Sequence, residues 1–291
     1  MRYFIVASRG CTAGTWLAQA LNKHPQVFCC HGRDRPGRGI ETRELLKSRR
    51  YRKDRLAFEQ RQRKMGIERY LKMVERASRG EPVIGNVHGF TLPELIDKLN
   101  RAHLFGKFPI ANITRNPISF VEDYTAKVVL RAEDYPEKYE MEHLPRAAKN
   151  RRFLRGWGVQ RNDELLAFTE ACQMAFKMRG DLDYNVPHIQ CEKFTSDREY
   201  FAEVAWSLTG IRFDDELISD IFNQGIVNPH CRNLGTPEEI WRDWSPLKKS
   251  IFSHFIGEQQ LEKFVSLGYS FSFLRDNVIT RGNRTVHFYL Y

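Results

Sequence analysis

The sequence predicts an α/β fold in which a mostly parallel sheet is flanked by helices, and two observations support this. Apolar runs of strand length alternate with longer segments of helical periodicity. The chain has 291 residues, of which 42% are hydrophobic, so it is long enough to bury one sizeable core. This composition excludes a disordered protein, and we expect a single domain over residues 1–291.

The predicted elements follow one another in the order strand, turn, helix. Strands are expected over residues 3–7, 26–30, 82–87, 110–114 and 188–191. Helices are expected over residues 15–21, 92–99, 163–178 and 198–208, and from Asn116-Pro117 onward, where Asn caps a helix and Pro suits its first position. Strands joined in this way run parallel and bind ligands at their carboxyl ends.

A single segment holds the whole net charge of +10, because residues 33–80 contain 17 basic and 7 acidic residues. Its first part, from Gly32 to Gly39, is typical of a loop, and Glu41 to Arg79 favours one or two helices. The segment is therefore a basic helical insertion, and it is either a solvated face or a lid that guides an anionic ligand. The expected buried face comprises Leu45, Leu46, Tyr51, Phe58, Ile67, Tyr70, Leu71 and Val74.

The six cysteines include the adjacent pair Cys29-Cys30 and show no metal-ligand spacing. This argues against a disulfide framework and a zinc site, and it favours a reducing compartment. The sequence has no signal peptide pattern and no run of eighteen apolar residues. We therefore expect a cytoplasmic protein without a membrane span.

The turn from Ser8 to Trp16 connects the first strand to the first helix. Such a turn presents backbone N–H groups and a helix N-terminus to an anion, and a phosphate is the expected occupant. Gly10 and Gly14 are one residue too close for a P-loop, and Thr15 follows where that motif has lysine. This disfavours a nucleoside-triphosphate hydrolase or an ordinary kinase. Simple reversal of the chain is the alternative role.

Two further strands end at residues that suit a site for anions. Arg115 follows the apolar strand 110–114, where its guanidinium can bind a phosphate through two hydrogen bonds or pair with a surface carboxylate. His88 follows the strand 82–87, where it is either a general base near neutral pH or a hydrogen-bonded structural residue.

Taken in order, these segments resemble the PAPS-dependent sulfotransferase family. Gly14-Thr15-Trp16-Leu17 resembles the 5′-phosphosulfate loop, Arg115-Asn116-Pro117 the 3′-phosphate strand and helix, and the strand ending in His88 the segment with the catalytic histidine. Weaker similarities lie at residues 189–194, at Ser196-Asp197, at Arg232-Asn233-Leu234-Gly235 followed by Trp241, and at Leu267-Gly268-Tyr269.

The resemblance implies a P-loop-like sulfotransferase fold and transfer of a sulfuryl group from PAPS to an acceptor hydroxyl or amine, with PAP as the product and no metal. It implies His88 and Arg9 as catalytic residues. The cofactor-binding residues that it implies are Thr12, Ala13, Gly14, Thr15, Trp16, Arg115, Arg232, Asn233 and Gly235. The acceptor is a small molecule, carbohydrate, lipid or peptide, and nucleic acid is not expected.

The chain departs from the family pattern at three places. Thr12 stands where the family has a loop lysine or arginine, so Arg9 fills that role only if the loop is shaped differently. Asp123 stands where a serine contacts the 3′-phosphate, which leaves Ser119, Thr125 or no residue for that contact. Asn86 replaces a lysine two residues before the histidine.

Several assignments keep an alternative. His31 is the second candidate base and Glu122 a third, while Trp16 either stacks on adenine or packs in a helix core. Glu192 and Trp241 are interpreted as structural. The rival functions are a P-loop-type kinase, which needs a loop lysine and a magnesium-binding aspartate, and a non-enzymatic module that binds nucleic acid through residues 33–79.

Overall fold

Five short strands form one parallel sheet, which confirms the predicted α/β class. They are β1 (Arg2–Ala7), β2 (Val27–His31), β3 (Val83–Val87), β4 (Ile110–Thr114) and β5 (His188–Gln190), in the spatial order β2-β3-β1-β4-β5. The chain leaves β1 toward β2 on one side and leaves β4 toward β5 on the other. The carboxyl end of β1 therefore lies at the switch point where open parallel sheets bind ligands.

The computed structural model describes residues 1–32, 48–134, 136–159, 162–223, 235–274, 278–281 and 284–287. Their helices are α1 (Gly14–Asn22), α2 (Arg49–Lys64), α3 (Ile67–Ala77), α4 (Leu92–Arg101), α5 (Pro117–Asp134), α6 (Pro136–Glu142), α7 (Leu144–Arg155), α8 (Asp163–Asp181), α9 (Cys191–Ser196), α10 (Arg198–Thr209), α11 (Asp215–Asn223), α12 (Pro237–Asp243), α13 (Pro246–Phe255) and α14 (Glu258–Val265). A 3₁₀ turn (Ser272–Leu274) and the antiparallel pair β6 (Val278–Arg281) and β7 (Arg284–His287) follow.

The chain divides into two compact units. Unit 1 comprises residues 1–115 and 185–231 and contains the parallel sheet, whereas unit 2 comprises residues 116–184 and 232–291. The expectation of a single domain stays a prediction. Within the described ranges, no helix has the length and apolar character needed to cross a membrane.

The core of unit 1 forms where the sheet, α1 and α10 meet. β1 is buried from Phe4 to Ala7, and Leu17 and Leu21 of α1 are fully buried in the same cluster. Gly85 of β3 pairs in register with Phe4, and a Cβ at Gly85 would lie 2.0 Å from the Phe4 ring. Glycine at this position therefore leaves room for the Phe4 ring.

The basic segment, for which the sequence predicts one or two helices over residues 41–79, forms two helices in its described part, α2 and α3. Phe58, Ile67, Tyr70, Leu71 and Val74 are buried as expected, and Tyr51 is half-buried. Lys98 of α4 donates to the carbonyls of Arg63 and Met65 at the end of α2, which satisfies terminal carbonyl groups of that helix. Leu45 and Leu46 lie outside the described residues.

Of the described cysteines, Cys11, Cys29 and Cys172 are free thiols, and Cys30 and Cys191 are buried. Burial raises the pKa of the Cys29 and Cys172 thiols well above the ordinary value. A raised pKa lowers the thiolate fraction, so these two side chains behave as small apolar core groups. Cys191 begins α9, so β5 ends one residue earlier than predicted.

Unit 2 contains a buried polar cluster around Glu170 of α8. The Glu170 carboxylate accepts hydrogen bonds from His143 Nδ1 at 2.9 Å, Arg146 Nη1 at 2.7 Å and Tyr124 Oη at 3.3 Å. Burial raises the pKa of Glu170, but the hydrogen bonds and charges of His143 and Arg146 outweigh it and leave the pKa below its usual value of 4.5. The ionised carboxylate therefore stabilises the packing of the helices that supply its partners.

This cluster predicts a specific pH dependence of stability. A lowered pKa in the folded state stabilises the protein above the unfolded pKa, and the stabilisation is lost as the pH falls through the folded pKa. We expect the thermal midpoint of the protein to fall more steeply between about pH 5 and pH 3 than that of Glu170→Gln. At pH 7, Glu170→Gln is the less stable protein.

Thermal unfolding followed by circular dichroism measures both effects. The control is Glu262→Gln, which removes an exposed carboxylate from α14 in the same unit. If the thermal midpoint falls equally steeply with pH in the unmodified protein and in Glu170→Gln, the ionised Glu170 is not the source of the pH dependence.

Candidate active site

The carboxyl edge of the unit 1 sheet brings the main sequence-predicted site residues together. The first loop, residues 8–13, follows β1; His31 ends β2, and His88 and Arg115 follow β3 and β4. Because these strands are neighbours in a parallel sheet, their carboxyl ends lie side by side. Four segments that are distant in the sequence thus supply one site.

The first loop has a backbone shape suited to an anion. Gly10, Cys11 and Ala13 have φ values of 88°, 50° and 51°. Left-handed residues in a short loop turn successive N–H groups to one side, which forms an anion-binding concavity. Ala13 caps α1 and has no side-chain acceptor for the first N–H groups of that helix. Thr12 is 1% exposed, and its buried hydroxyl has no hydrogen-bond partner among the described residues.

The first residue of α1, Gly14, lies against the ends of β2 and β3. A Cβ at Gly14 would lie 3.3 Å from His88 Cβ and 3.6 Å from His31 Nε2. The next residue, Thr15, places its hydroxyl oxygen 3.2 Å from the same His31 nitrogen. A side chain at position 14 would be tight against His88, which would have to shift by a few tenths of an ångström, whereas its distance to His31 is that of an ordinary contact.

His88 is held by the backbone and by one side chain. It has a φ of 66°, its N–H donates to the Val6 carbonyl at 2.8 Å, and its Nδ1 lies 2.5 Å from the hydroxyl of Ser8. The Ser8 side chain is buried, so this hydrogen bond fixes the ring. The His31 ring stacks on the His88 ring, with centroids 5.6 Å apart and planes at 26°.

Asn86 connects the ends of β2 and β3. It is 1% exposed; its Nδ2 donates to the carbonyls of Gly32 at 3.1 Å and Cys30 at 3.4 Å, and its Oδ1 accepts from the N–H of Gly89 at 2.8 Å. The turns next to His31 and His88 are thereby held together. Where the family pattern has a lysine, this chain has a buried structural bridge.

Arg115 extends from β4 to the first loop. Its Nη1 donates to the Cys11 carbonyl at 2.7 Å, its Nε lies 4.0 Å from Glu192 Oε1, and its side chain is 15% exposed. The pairing with a carboxylate, which was the alternative from the sequence, is thus present as the long contact with Glu192. The shorter contact, with the Cys11 carbonyl, was not predicted, because nothing in the sequence indicates a hydrogen bond between an arginine side chain and a loop carbonyl.

Two further residues that the sequence predicts for the site are Arg9 in the first loop and Trp16 in α1. Arg9 lies in the first loop and is partly exposed. Trp16 packs against the rings of Phe194, Phe201 and Phe222, at centroid distances of 5.9, 5.5 and 5.6 Å. This is the packing of a helix-core aromatic, which was one of its two interpretations.

Other candidates belong to unit 2. Glu122, the third candidate base, accepts a hydrogen bond from Trp244 Nε1 at 2.8 Å. Ser119, Asp123 and Thr125 of α5 are all buried, and the Thr125 hydroxyl donates to the carbonyl of Val121 in its own helix. Trp241 is 2% exposed, as expected of a structural residue.

The segment that contains Gly235 is described only in part. Gly235 has a φ of 80° and precedes the capping box that Thr236 and Glu239 form at the start of α12. Arg232 and Asn233 lie outside the described residues. In the part of the chain that the structure describes, no three histidine, cysteine or acidic side chains are grouped as metal ligands.

No protein-family model matches the chain, and no curated protein matches it. The sulfotransferase domain from the curacin biosynthetic pathway is 12% identical, with a TM-score of 0.42, and the match covers 92% of this chain and 98% of that chain. A sulfotransferase from Alicyclobacillus acidocaldarius is also 12% identical, with a TM-score of 0.39 and coverage of 88% and 96%. We therefore argue the chemistry of the site from the residues of this chain and not from these similarities.

The bridge at Asn86 makes a testable prediction. Asn86→Ala leaves the N–H of Gly89 and the carbonyl of Gly32 without their buried partner, and we expect a loss of about 1–3 kcal/mol in the free energy of unfolding. Urea unfolding measures it. Asn100→Ala, an exposed change at the end of α4, is the control and is expected to be neutral within about 0.5 kcal/mol. A loss at Asn86 no larger than in the control contradicts the bridging role.

Proposed function

We propose that the protein is a PAPS-dependent sulfotransferase that transfers a sulfuryl group to an acceptor hydroxyl, with His88 as the general base. One observation carries the proposal: a histidine held by Ser8 lies beside a loop shaped for an anion, at the carboxyl edge of a parallel sheet. A base next to a phosphate-type loop suits transfer of a group from a phosphate to a hydroxyl.

The first loop fits the 5′-phosphosulfate end of the donor. Its backbone N–H groups and the start of α1 provide donors that need no rearrangement, and such donors stabilise negative charge as it develops on the leaving phosphate. The orphaned hydroxyl of Thr12 is a buried group that gains a partner when an oxyanion binds. Arg9, in the same loop, is the candidate for the cationic role that the family gives to lysine or arginine.

Arg115 fits the 3′-phosphate. A guanidinium has five N–H donors in a planar fork, a geometry that suits a bidentate contact with phosphate. Because the same side chain is bonded to the first loop, it couples the two ends of the nucleotide site. Arg232, Asn233 and Gly235 are the further cofactor contacts that the proposal includes.

His88 performs the proton step in this proposal. With the Nδ1 proton donated to the Ser8 hydroxyl, the lone pair is on Nε2, the nitrogen that accepts the proton of the acceptor hydroxyl. Ser8 is then a positioning residue that holds the orientation of the His88 ring. When bound, the donor supplies the sulfuryl group, which passes from its phosphate oxygen to the acceptor oxygen and leaves PAP.

The proposal also includes the cellular location of the protein and the chemical class of the acceptor. The free thiols in the described ranges fit a reducing, cytoplasmic location. The acceptor carries a hydroxyl group, and the basic helix α2 in unit 1 favours acceptors or nucleotides with negative charge.

Binding of adenosine 3′,5′-bisphosphate tests the nucleotide site. At about 100 times its dissociation constant, this ligand should stabilise the fold by roughly 2.7 kcal/mol, which a thermal shift detects. Adenosine 5′-monophosphate, which lacks the 3′-phosphate that Arg115 is proposed to bind, is the matched ligand and should give a smaller shift. The absence of any shift at millimolar bisphosphate contradicts the proposed function.

Replacement of His88 tests the chemistry. We expect His88→Asn to slow sulfuryl transfer by about 10²–10⁴-fold, because the base is lost, and to change bisphosphate affinity little. Asparagine tolerates the positive φ of this position better than alanine does. Transfer of labelled sulfate from PAPS to a panel of hydroxyl acceptors measures the rate.

The control for this variant is His103→Asn, because His103 is an exposed histidine that also has a positive φ, 54°. In the unmodified protein, activity should rise as the pH is raised from acid toward neutral, because only the neutral base accepts a proton. If His31→Asn abolishes transfer and His88→Asn does not, the base is His31 instead.

A further inference from the structure

We infer that His31 positions the hydroxyl of Thr15 for the bound anion, and that nucleotide binding is therefore coupled to uptake of a proton by His31. The inference rests on the proposed function, since it concerns the same phosphate loop. His31 touches neither the transferred group nor the acceptor in this scheme. It acts on the ligand through Thr15.

The geometry brings His31 to the start of α1. Thr15 is the second residue of that helix, and its hydroxyl oxygen lies 3.2 Å from His31 Nε2. Gly14, the first residue, leaves only 3.6 Å between its Cβ position and the same nitrogen. The His31 ring thus lies directly beside the helix end whose N–H groups would bind a phosphate.

The direction of this hydrogen bond depends on the proton of His31. In the cationic ring both nitrogens donate, so Nε2–H donates to Thr15 and the Thr15 hydroxyl proton is available for an anion. In the neutral ring with its proton on Nδ1, the direction reverses and Thr15 donates to Nε2. Relative to that tautomer, a protonated His31 makes the Thr15 hydroxyl proton available to the anion, and relative to either neutral tautomer it adds one positive charge to the anion site.

The stacking of the His31 and His88 rings favours a single charge on the pair. Among the described residues, the strand of His31 also carries the buried thiols of Cys29 and Cys30, and the first loop carries Arg9 and Cys11. From β3, the ring of His88 lies 5.6 Å away, and α1 carries no ionisable side chain. Two cationic rings at this distance repel each other, so a charge on one ring disfavours a charge on the other.

This repulsion links the inference to catalysis. When the anion binds and His31 takes up a proton, His88 is kept neutral, which is the form that a general base needs. No covalent bond changes in this step; one proton moves from solvent to His31. Binding of the ligand thus keeps His88 in the neutral form that accepts the proton of the acceptor.

Calorimetric titration with adenosine 3′,5′-bisphosphate tests the inference. Titrations in two buffers of different ionisation enthalpy, between pH 6 and pH 8.5, give the number of protons taken up on binding. We expect His31→Asn to take up fewer protons than the unmodified protein. We also expect it to bind about tenfold more weakly at pH 6, with little difference at pH 8.5. Proton uptake by the phosphates of the ligand is common to both proteins and cancels in the comparison.

Two further variants separate the contributions. Thr15→Val removes the hydroxyl and keeps the branched shape, so it should weaken binding at pH 6 more than at pH 8.5, whereas Thr15→Ser should behave like the unmodified protein. His24→Asn removes a histidine near the opposite end of α1, where its ring packs on Phe213, and should leave proton uptake unchanged.

The outcomes distinguish this inference from the proposed function. If the nucleotide binds and both His31→Asn and Thr15→Val retain the original pH dependence, His31 is not a positioning residue. If His31→Asn abolishes transfer but leaves proton uptake and affinity unchanged, His31 is the base and the inference is wrong. If the unmodified protein binds no nucleotide at any pH, the proposed function fails and this inference fails with it.

Discussion

The first residue of α1 packs directly on the carboxyl end of β3, and this close approach sets the distances in the candidate site. Gly14 suits this approach, since a Cβ there would lie 3.3 Å from the Cβ of His88, which is tighter than an ordinary contact. The same approach brings the N-terminus of α1 to the histidines and lets Thr15 bond to His31. The N-terminus of α1 and the imidazole rings of His31 and His88 therefore lie close together.

Buried polar contacts maintain this arrangement against backbone strain. His88 and Cys11 have positive φ values, which cost free energy for residues other than glycine. Ser8 bonds to the side chain of His88, Arg115 to the carbonyl of Cys11, and Asn86 connects the two adjacent turns. Strain compensated in this way is common where a site must be organised before its ligand binds. The rigidity of the site thus comes from the side chains of Ser8, Asn86 and Arg115.

Sequence periodicity predicted the elements of unit 1 well and those of unit 2 less well. The strands and α1 have strong apolar patterns, and their predicted bounds agree with the structure within about two residues. The α7 segment has few apolar residues, and only Ala147, Asn150 and Leu154 of it are buried. Its helix depends on packing against α8, which a local pattern does not contain. The role of the basic segment stays a prediction, although its described part is helical.

By itself the sequence determined the α/β class, the anion-type turn and the residues that end the strands, because these follow from periodicity and turn chemistry over a few neighbouring residues. The tertiary structure decided the strand order and the partners within the site. The bonds of His31 to Thr15, Ser8 to His88 and Arg115 to Cys11 join residues 16, 80 and 104 positions apart. Such pairs depend on which strands are neighbours and in what register, and a local pattern carries no information about either.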